Sequence, residues 1–156
     1  MREEIEACGG DFDHRGAATD EAVAVMRTLW STDGPAAYDG DFYRFHNAYS
    51  YPKPIRPQGV PLYIGGHSKA AARRAGRLGD GFQPLGLVGE ELSAALNVMR
   101  AAASDAGRDP ASIDLVLGHG LHRVDQAALE QAHRSGAGRM LLSASRRATT
   151  LEAVLE

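Results

Sequence analysis

The residues with the clearest chemical potential are a glycine pair and the histidine and serine that follow it, Gly65, Gly66, His67 and Ser68. A short apolar segment precedes them, and helix-forming residues follow. The glycines allow a sharp turn, and the Ser68 hydroxyl can accept a hydrogen bond from an N–H in the first helical turn. Such a turn directs unpaired N–H groups and the positive end of a helix dipole at one place, where a phosphate or carboxylate can bind. A second interpretation is also open, in which the glycines only make a tight turn between strand and helix.

Four further residues follow predicted strands and could line the same site. His119 and His122 follow the predicted strand 113–118, and their spacing is similar to that of a metal-binding pair. No carboxylate or third ligand lies at a suitable spacing, so we predict no metal and expect either histidine only to line the mouth of the site. Gln83 and Gly86, at the end of an earlier predicted strand, could face a cofactor or substrate. No residue in the sequence is assigned a catalytic role.

Composition places the chain in the globular class. It has 156 residues, of which 44% are hydrophobic and 24% charged, enough for one domain with a core. The net charge is −3 and the basic residues are scattered, which argues against a nucleic-acid partner. Cys8 is the only cysteine, and no apolar run approaches the roughly 18 residues of a membrane helix. We therefore expect a cytoplasmic protein with no membrane partner.

The first 60 residues predict helices, a hairpin and an extended loop. Residues 2–8 resemble the end of a helix, and Thr19 is placed to cap a second helix that carries an apolar stripe and Trp30. Asp20 and Glu21 in the first turn of this second helix favour the positive end of its dipole. Residues 36–46 predict a small hairpin around an Asp-Gly turn, because this pair accepts positive φ at low cost. Four prolines within ten residues then predict an extended loop over 47–60.

From residue 61 onward, strands and helices alternate as β-α-β-α-β-α-β-α. The predicted strands are 61–64, a short one near 82, 113–118 and 139–143. One predicted helix ends near 78, and the others span 90–106, 126–134 and the segment from Thr149 to the end. The helix 90–106 has an apolar stripe of Leu92, Leu96, Met99 and Ala103, with Gly107 as its C-cap. The strand 61–64 has no polar break, which predicts burial on both faces. This order predicts an α/β chain with a parallel sheet, built either as four of the eight units of a barrel or as a free-standing open sheet.

Several separate motifs, taken in order, resemble the bacterial luciferase-like monooxygenase family, and within it the branch that uses the deazaflavin coenzyme F420. These motifs are Glu21…Met26-Arg27…Leu29-Trp30, Tyr38-Asp39-Gly40-Asp41-Phe42-Tyr43, Pro52-Lys53-Pro54, Pro61 to Ser68, Arg73-Arg74-Ala75 with Gly79-Asp80-Gly81-Phe82, and Ala106 to Pro110. The resemblance depends on their order and spacing, and it covers nearly the whole chain.

The resemblance implies a TIM barrel that binds a flavin or deazaflavin at the carboxyl ends of its strands. On this mapping the chain is a single domain over 1–156 and forms the C-terminal half of a (β/α)8 barrel, with strands five to eight and their helices in 61–156. Residues 1–60 supply the helices, hairpin and proline-rich insertion that precede the fifth strand. The loop after that strand implies cofactor binding at Gly65, Gly66, His67 and Ser68, with F420 as the expected cofactor and FMN as the alternative.

The chain departs from the family pattern because the first four strands of the barrel are absent from it. The resemblance therefore leaves two functions open. One is an F420- or flavin-dependent oxidoreductase or monooxygenase that transfers hydride or activates oxygen at the cofactor and acts on a small-molecule substrate. The other is an inactive half-barrel that serves only as an oligomerising α/β domain. Half of a barrel exposes two sheet edges and its inner face, so we expect a homo-oligomer.

Overall fold

The computed structural model describes residues 1–120 and 124–143. The chain divides into two compact units, Met1–Val60 and Pro61–Glu156. This boundary falls where the sequence changes from the proline-rich segment to the alternation of strands and helices. Among the described residues, no helix combines the length and the apolar character needed to cross a membrane.

The first unit contains two helices and an antiparallel hairpin. Its elements are α1 (Arg2–Ala7), α2 (Arg15–Ser31), β1 (Ala36–Asp39) and β2 (Arg44–Ala48). Val23 and Val25 of α2 are buried with Ala36 of β1, and Trp30 is half-buried. A Cβ atom at Gly59 would lie 2.8 Å from the Trp30 indole, so the end of the proline-rich segment packs closely on that ring. The predicted hairpin is confirmed, with a second strand that runs two residues further than expected, to Ala48, and residues 49–60 contain no helix or strand.

The prediction that Thr19 caps α2 is wrong, because the helix begins one turn earlier. The carboxylate of Asp11 accepts hydrogen bonds from the N–H groups of Asp13 and His14, at 2.8 and 3.4 Å, and this turn leads the chain into Arg15. Thr19 consequently lies inside the helix. Its hydroxyl donates to the carbonyl of Arg15 at 2.7 Å, as a mid-helix threonine commonly does.

The second unit is a four-stranded parallel sheet whose strands alternate with helices. Its elements are β3 (Tyr63–Gly65), α3 (Lys69–Leu78), β4 (Gly81–Gln83), α4 (Gly89–Asp105), a 3₁₀ turn (Pro110–Ser112), β5 (Asp114–Gly120), α5 (Gln126–Arg134) and β6 (Arg139–Ser143). The strands lie in the order β3-β4-β5-β6, each beside the next along the chain. The predicted α/β alternation is confirmed, while the helix predicted from Thr149 lies outside the described residues.

One face of this sheet is covered by helices and carries the core. Phe82 is fully buried, and its register partner Leu115 lies beside it in the same apolar cluster. The predicted stripe on α4 packs against them, with Leu92, Leu96 and Met99 all buried. Because side chains alternate along a strand, the residues next to Phe82 and Leu115 point to the other face of the sheet.

The prediction that strand 61–64 is buried on both faces is wrong. Tyr63 and Ile64 are half-buried, and Gly65 is exposed. Two features of the described part of the chain explain the difference. The strand β3 lies at an edge of the four-stranded sheet, and helices cover only one of the two faces. Ile64 packs on the covered face, so the apolar run marks a half-buried edge strand.

Candidate cofactor site

The turn between β3 and α3 has the geometry that its residue types predict. Ser68 is the N-cap of α3, and its hydroxyl oxygen accepts a hydrogen bond from the N–H of Ala71 at 3.1 Å. Gly66 has a φ of 140°, and a Cβ atom there would lie 2.8 Å from the Cβ of Ala71. Both the backbone conformation and the close approach to the helix therefore require glycine at this position.

Gly65 differs from Gly66, because neither its backbone nor its neighbours require glycine. It is the last residue of β3, it is exposed, and a Cβ atom built on it would meet nothing within 4 Å. Gly118, within β5, is also exposed, and a Cβ atom built on it would likewise meet nothing within 4 Å. These positions leave bare strand backbone towards the carboxyl end of the sheet, and a ligand can approach such a surface more closely than one covered by side chains.

The start of α3 is electrostatically suited to an anion. Helical geometry leaves the N–H groups of Lys69 and Ala70 without an acceptor inside the helix, since these residues occupy its first turn. The helix dipole adds partial positive charge, and the exposed ammonium of Lys69 adds a full one. His67 is also exposed beside this turn. The four predicted residues 65–68 thus lie together at a site with several potential donors.

The end of β4 lies against this turn. Gly65 is the register partner of Gln83, and the N–H of Gly66 donates to the Gln83 carbonyl at 3.1 Å. Gln83 is half-buried and Gly86 is exposed in the loop that follows. The structure therefore brings Gln83 beside the predicted turn, as expected for the carboxyl ends of neighbouring parallel strands.

The expectation for His119 is corrected by the structure. His119 lies within β5 and does not follow it, because this strand continues to Gly120. Together with Leu117, it lines a cavity of about 140 Å³ that also involves Ala128 and Ala132 of α5. His119 is thus on the helix-covered side of the sheet, away from the bare face beside Gly118. His122 lies outside the described residues.

A second polar arrangement lies at the amino ends of the strands and was missed from the sequence. The Tyr63 hydroxyl donates to the Asp114 carboxylate at 2.7 Å, and Arg139 pairs with the same carboxylate at 3.1 Å. The Arg139 guanidinium also lies 5.4 Å from the centre of the Tyr63 ring. The ring crosses β4 at Gly81, where a Cβ atom would overlap it. The only sequence signal was a glycine at the start of a strand, which alone does not identify its partner.

Asp80 fixes the start of the sheet on the same side. Its carboxylate accepts a hydrogen bond from the N–H of Leu62 at 2.8 Å, just before β3. Its own N–H donates to the Leu62 carbonyl, also at 2.8 Å. Asp80 therefore ties the beginnings of β3 and β4 together, which leaves the carboxyl ends as the place for a ligand. Among the described residues, no group of histidine, cysteine or carboxylate side chains is arranged to hold a metal ion.

Several known proteins are similar to this chain in sequence, and solved structures are similar to it in fold. An F420-dependent glucose-6-phosphate dehydrogenase of Mycobacterium tuberculosis is 39% identical over 114 residues, which are 72% of this chain and 33% of that protein. A phthiodiolone/phenolphthiodiolone dimycocerosates ketoreductase of Mycobacterium bovis is 34% identical over 114 residues, 72% of this chain and 30% of that one. The chain therefore spans about a third of the length of the curated relatives it matches.

A solved structure of a related protein has a similar fold. An F420-dependent secondary alcohol dehydrogenase, in complex with an F420–acetone adduct, superposes with a TM-score of 0.64 at 31% identity. The match covers 70% of this chain and 33% of that one. With four parallel strands that alternate with three helices in the described residues, this likeness confirms the predicted partial (β/α)8 barrel. The family model for luciferase-like monooxygenases matches residues 2–154, and the chain belongs to that family.

Proposed function

We propose that this chain is part of an F420-dependent oxidoreductase that transfers hydride between the cofactor and a small organic molecule. The observation that carries the proposal is the turn at Gly66, which places the amino end of α3 at the carboxyl end of β3. The names of the relatives support the choice of cofactor, since two of the three reported above contain F420. When bound, the deazaflavin ring supplies the redox chemistry by accepting or releasing a hydride.

The residues present fit the phosphate-bearing end of such a cofactor. The N–H groups of Lys69 and Ala70 and the Lys69 ammonium are the donors for a phosphate. Gly66 brings the turn close to the helix, and Gly65 leaves the adjoining strand without a side chain. His67 is placed to donate a hydrogen bond to the same end of the cofactor. In this proposal these residues bind and orient the cofactor, and the reacting groups of the substrate site are not assigned.

Titration with F420 and FMN, each added alone to the full chain, tests this proposal. The proposal predicts saturable heat by calorimetry, or saturable quenching of deazaflavin fluorescence, with F420 and weaker binding with FMN. Tighter binding of FMN would change the proposed cofactor from a deazaflavin to a flavin, and the family assignment would stay the same. Binding of neither cofactor at high micromolar concentration would contradict the oxidoreductase function for this chain and favour the alternative, an inactive α/β domain.

Self-association and location are further parts of the proposal. In the described part of the chain β3 is an edge strand, and the sheet face opposite the helices includes Leu141, which is 51% exposed. An open edge and an uncovered face are common points of contact between copies of a chain. The proposal therefore includes self-association of the chain into a homo-oligomer. Sedimentation as a clean monomer would contradict this part of the proposal. A reducing cytoplasmic location fits the single cysteine, Cys8.

A further inference from the structure

One carboxylate from α2 organises the tip of the β1–β2 hairpin. Glu21 accepts hydrogen bonds from the backbone N–H groups of Asp41, Phe42 and Tyr43, with N···O distances of 3.1, 3.0 and 2.7 Å. Both carboxylate oxygens take part, because Oε2 accepts from Asp41 and Oε1 accepts from the other two. Successive N–H groups that converge on one anion form a backbone nest, an arrangement that binds carboxylates and phosphates.

The hairpin holds this tip in shape through contacts that do not involve Glu21. Asp39 and Arg44 are register partners at the ends of the two strands, and their side chains form an ion pair. Within the tip, the N–H of Gly40 donates to the Tyr43 carbonyl at 2.9 Å. The hairpin itself therefore orients the N–H groups of the nest. An anion of suitable size can use the same donors once the Glu21 carboxylate is gone.

Gly40 leaves room for the Glu21 carboxylate beside the hairpin tip. A Cβ atom at Gly40 would overlap the Glu21 carboxylate and press against the ring of Tyr38. Gly40 is not among the residues with positive φ, so its backbone conformation does not require glycine. The sequence-based explanation for this glycine, a turn that needs positive φ, is therefore wrong. Glycine at this position instead leaves open the space that the Glu21 carboxylate and the edge of the Tyr38 ring occupy.

We propose that residues 41–43 form an anion-binding nest whose ligands are small carboxylates and phosphate, and that Glu21 fills it in the native protein as a tethered ligand. A tethered group competes with free anions at an effective concentration in the millimolar range or above. The native nest therefore resists exchange with anions in solution. Removal of the Glu21 side chain opens it to them, and the hairpin tip loses its attachment to α2.

Glu21→Ala tests the proposal, with Glu3→Ala as the matched control, since Glu3 is an exposed carboxylate on α1. Amide chemical shifts of residues 41–43 are followed in the full chain while acetate or inorganic phosphate is added at constant ionic strength. We expect saturable shifts at these three amides in Glu21→Ala, with half-saturation in the millimolar range. The native protein and Glu3→Ala are expected to show no saturable shift at the same amides.

A second variant covers the case in which Glu21→Ala loosens the hairpin. Glu21→Gln keeps an oxygen that accepts from the nest, so it is expected to stay folded and to take up no acetate. If the amide signals of the hairpin are lost in Glu21→Ala, we expect acetate or phosphate to restore them. Chloride at the same ionic strength is not expected to restore these signals. The absence of both a saturable shift and an anion-dependent recovery in Glu21→Ala overturns the proposal. An equal response of the native protein also overturns it.

Discussion

The Tyr63 phenol reaches across β4 and donates a 2.7 Å hydrogen bond to the carboxylate of Asp114, a residue 51 positions further along the chain. The bond joins β3 to β5 over Gly81, and Arg139 extends the contact to β6. A single layer of side chains thus connects β3, β5 and β6 at their amino ends and passes over β4 at Gly81. This layer stiffens the end of the sheet opposite the candidate cofactor site.

Removal of the Tyr63 hydroxyl is expected to weaken this connection. Tyr63→Phe loses a hydrogen bond to a charged acceptor, which typically contributes about 1.5 kcal/mol to the free energy of unfolding. The measurement is hydrogen exchange of the amides of Phe82 and Leu115, which lie in the core of the same sheet. Tyr49→Phe is the control, because Tyr49 is exposed in the other unit, and its effect should be within about 0.5 kcal/mol. Equal protection in the two variants would show that the hydroxyl contributes nothing.

Two glycines in the same sheet should respond differently to alanine. In Gly81→Ala, the new methyl group overlaps the Tyr63 ring and forces it out of position, which we expect to cost about 2 kcal/mol. In Gly118→Ala, the methyl group enters open space, so the change should be within about 1 kcal/mol. Thermal unfolding followed by circular dichroism compares the two variants. A similar melting temperature for both would contradict the described position of the Tyr63 ring.

Two helix caps in this unit allow stability to be separated from cofactor binding. Ser68 and Asp125 each accept a hydrogen bond from the third N–H of their helix, at 3.1 and 2.8 Å. Alanine at either position should lower the free energy of unfolding by about 1 kcal/mol. Only Ser68→Ala should also weaken the binding of F420, because Asp125 caps α5, which follows β5 and lies two strands away from the β3–α3 turn. Equal loss of binding in both variants would indicate a general effect of stability.

The Asp11–His14 pair predicts a pH dependence for the first unit. The hydrogen bond from His14 Nδ1 to the carboxylate, at 2.6 Å, raises the pKa of His14 above its ordinary 6.5 and, with the backbone bond from Asp13, lowers the pKa of Asp11 below its ordinary 3.8. The stabilisation from the protonated His14 ring is complete below the pKa that His14 has in the unfolded chain. It is lost as pH rises through the pKa that His14 has in the folded chain. The stabilisation from the ionised Asp11 carboxylate is present above the pKa that Asp11 has in the unfolded chain. It is lost as pH falls through the pKa that Asp11 has in the folded chain.

The stabilisation from this pair is therefore greatest between about pH 4 and pH 6.5. NMR titration of the histidine ring signals should give His14 a higher pKa than it has in Asp11→Asn, where the negative charge is removed. Unfolding followed by fluorescence of Trp30, the single tryptophan, should show the matching change in the stability of the first unit. A His14 pKa that Asp11→Asn leaves unchanged would contradict the pairing.

Local patterns predicted most of the second unit, because each of its elements carries its own signal. The stripe of Leu92, Leu96 and Met99 identified α4, and Gly107 at its end adopts the positive φ of 69° that a glycine cap allows. Ser68 was predicted as a cap from its position before an alanine-rich helix, and its hydroxyl accepts the expected bond. The hydrophobic period and the capping residues act over a few positions, so a single sequence suffices to find them.

Contacts between distant residues could not be predicted in the same way. Glu21 was interpreted as favourable for the dipole of its own helix, whereas it accepts three hydrogen bonds from a hairpin 20 or more residues away. Asp114 was seen only as part of a strand, although it joins three strands together. His119 was assigned to a loop because its strand extends further than its apolar residues indicate. In each case the partner is set by tertiary packing, which leaves no short-range pattern.

The most direct test of the proposed site compares F420 with its phosphate-free deazaflavin nucleoside, each titrated into the native chain and into Lys69→Ala. If the β3–α3 turn holds the phosphate, loss of the Lys69 ammonium should weaken the binding of F420 by about 1 kcal/mol, which is a several-fold increase in Kd. The phosphate-free nucleoside should bind both proteins equally and more weakly than F420 binds the native chain. Equal affinity of F420 for the native chain and Lys69→Ala, or no preference for the phosphorylated form, would contradict the assignment of the phosphate to this turn.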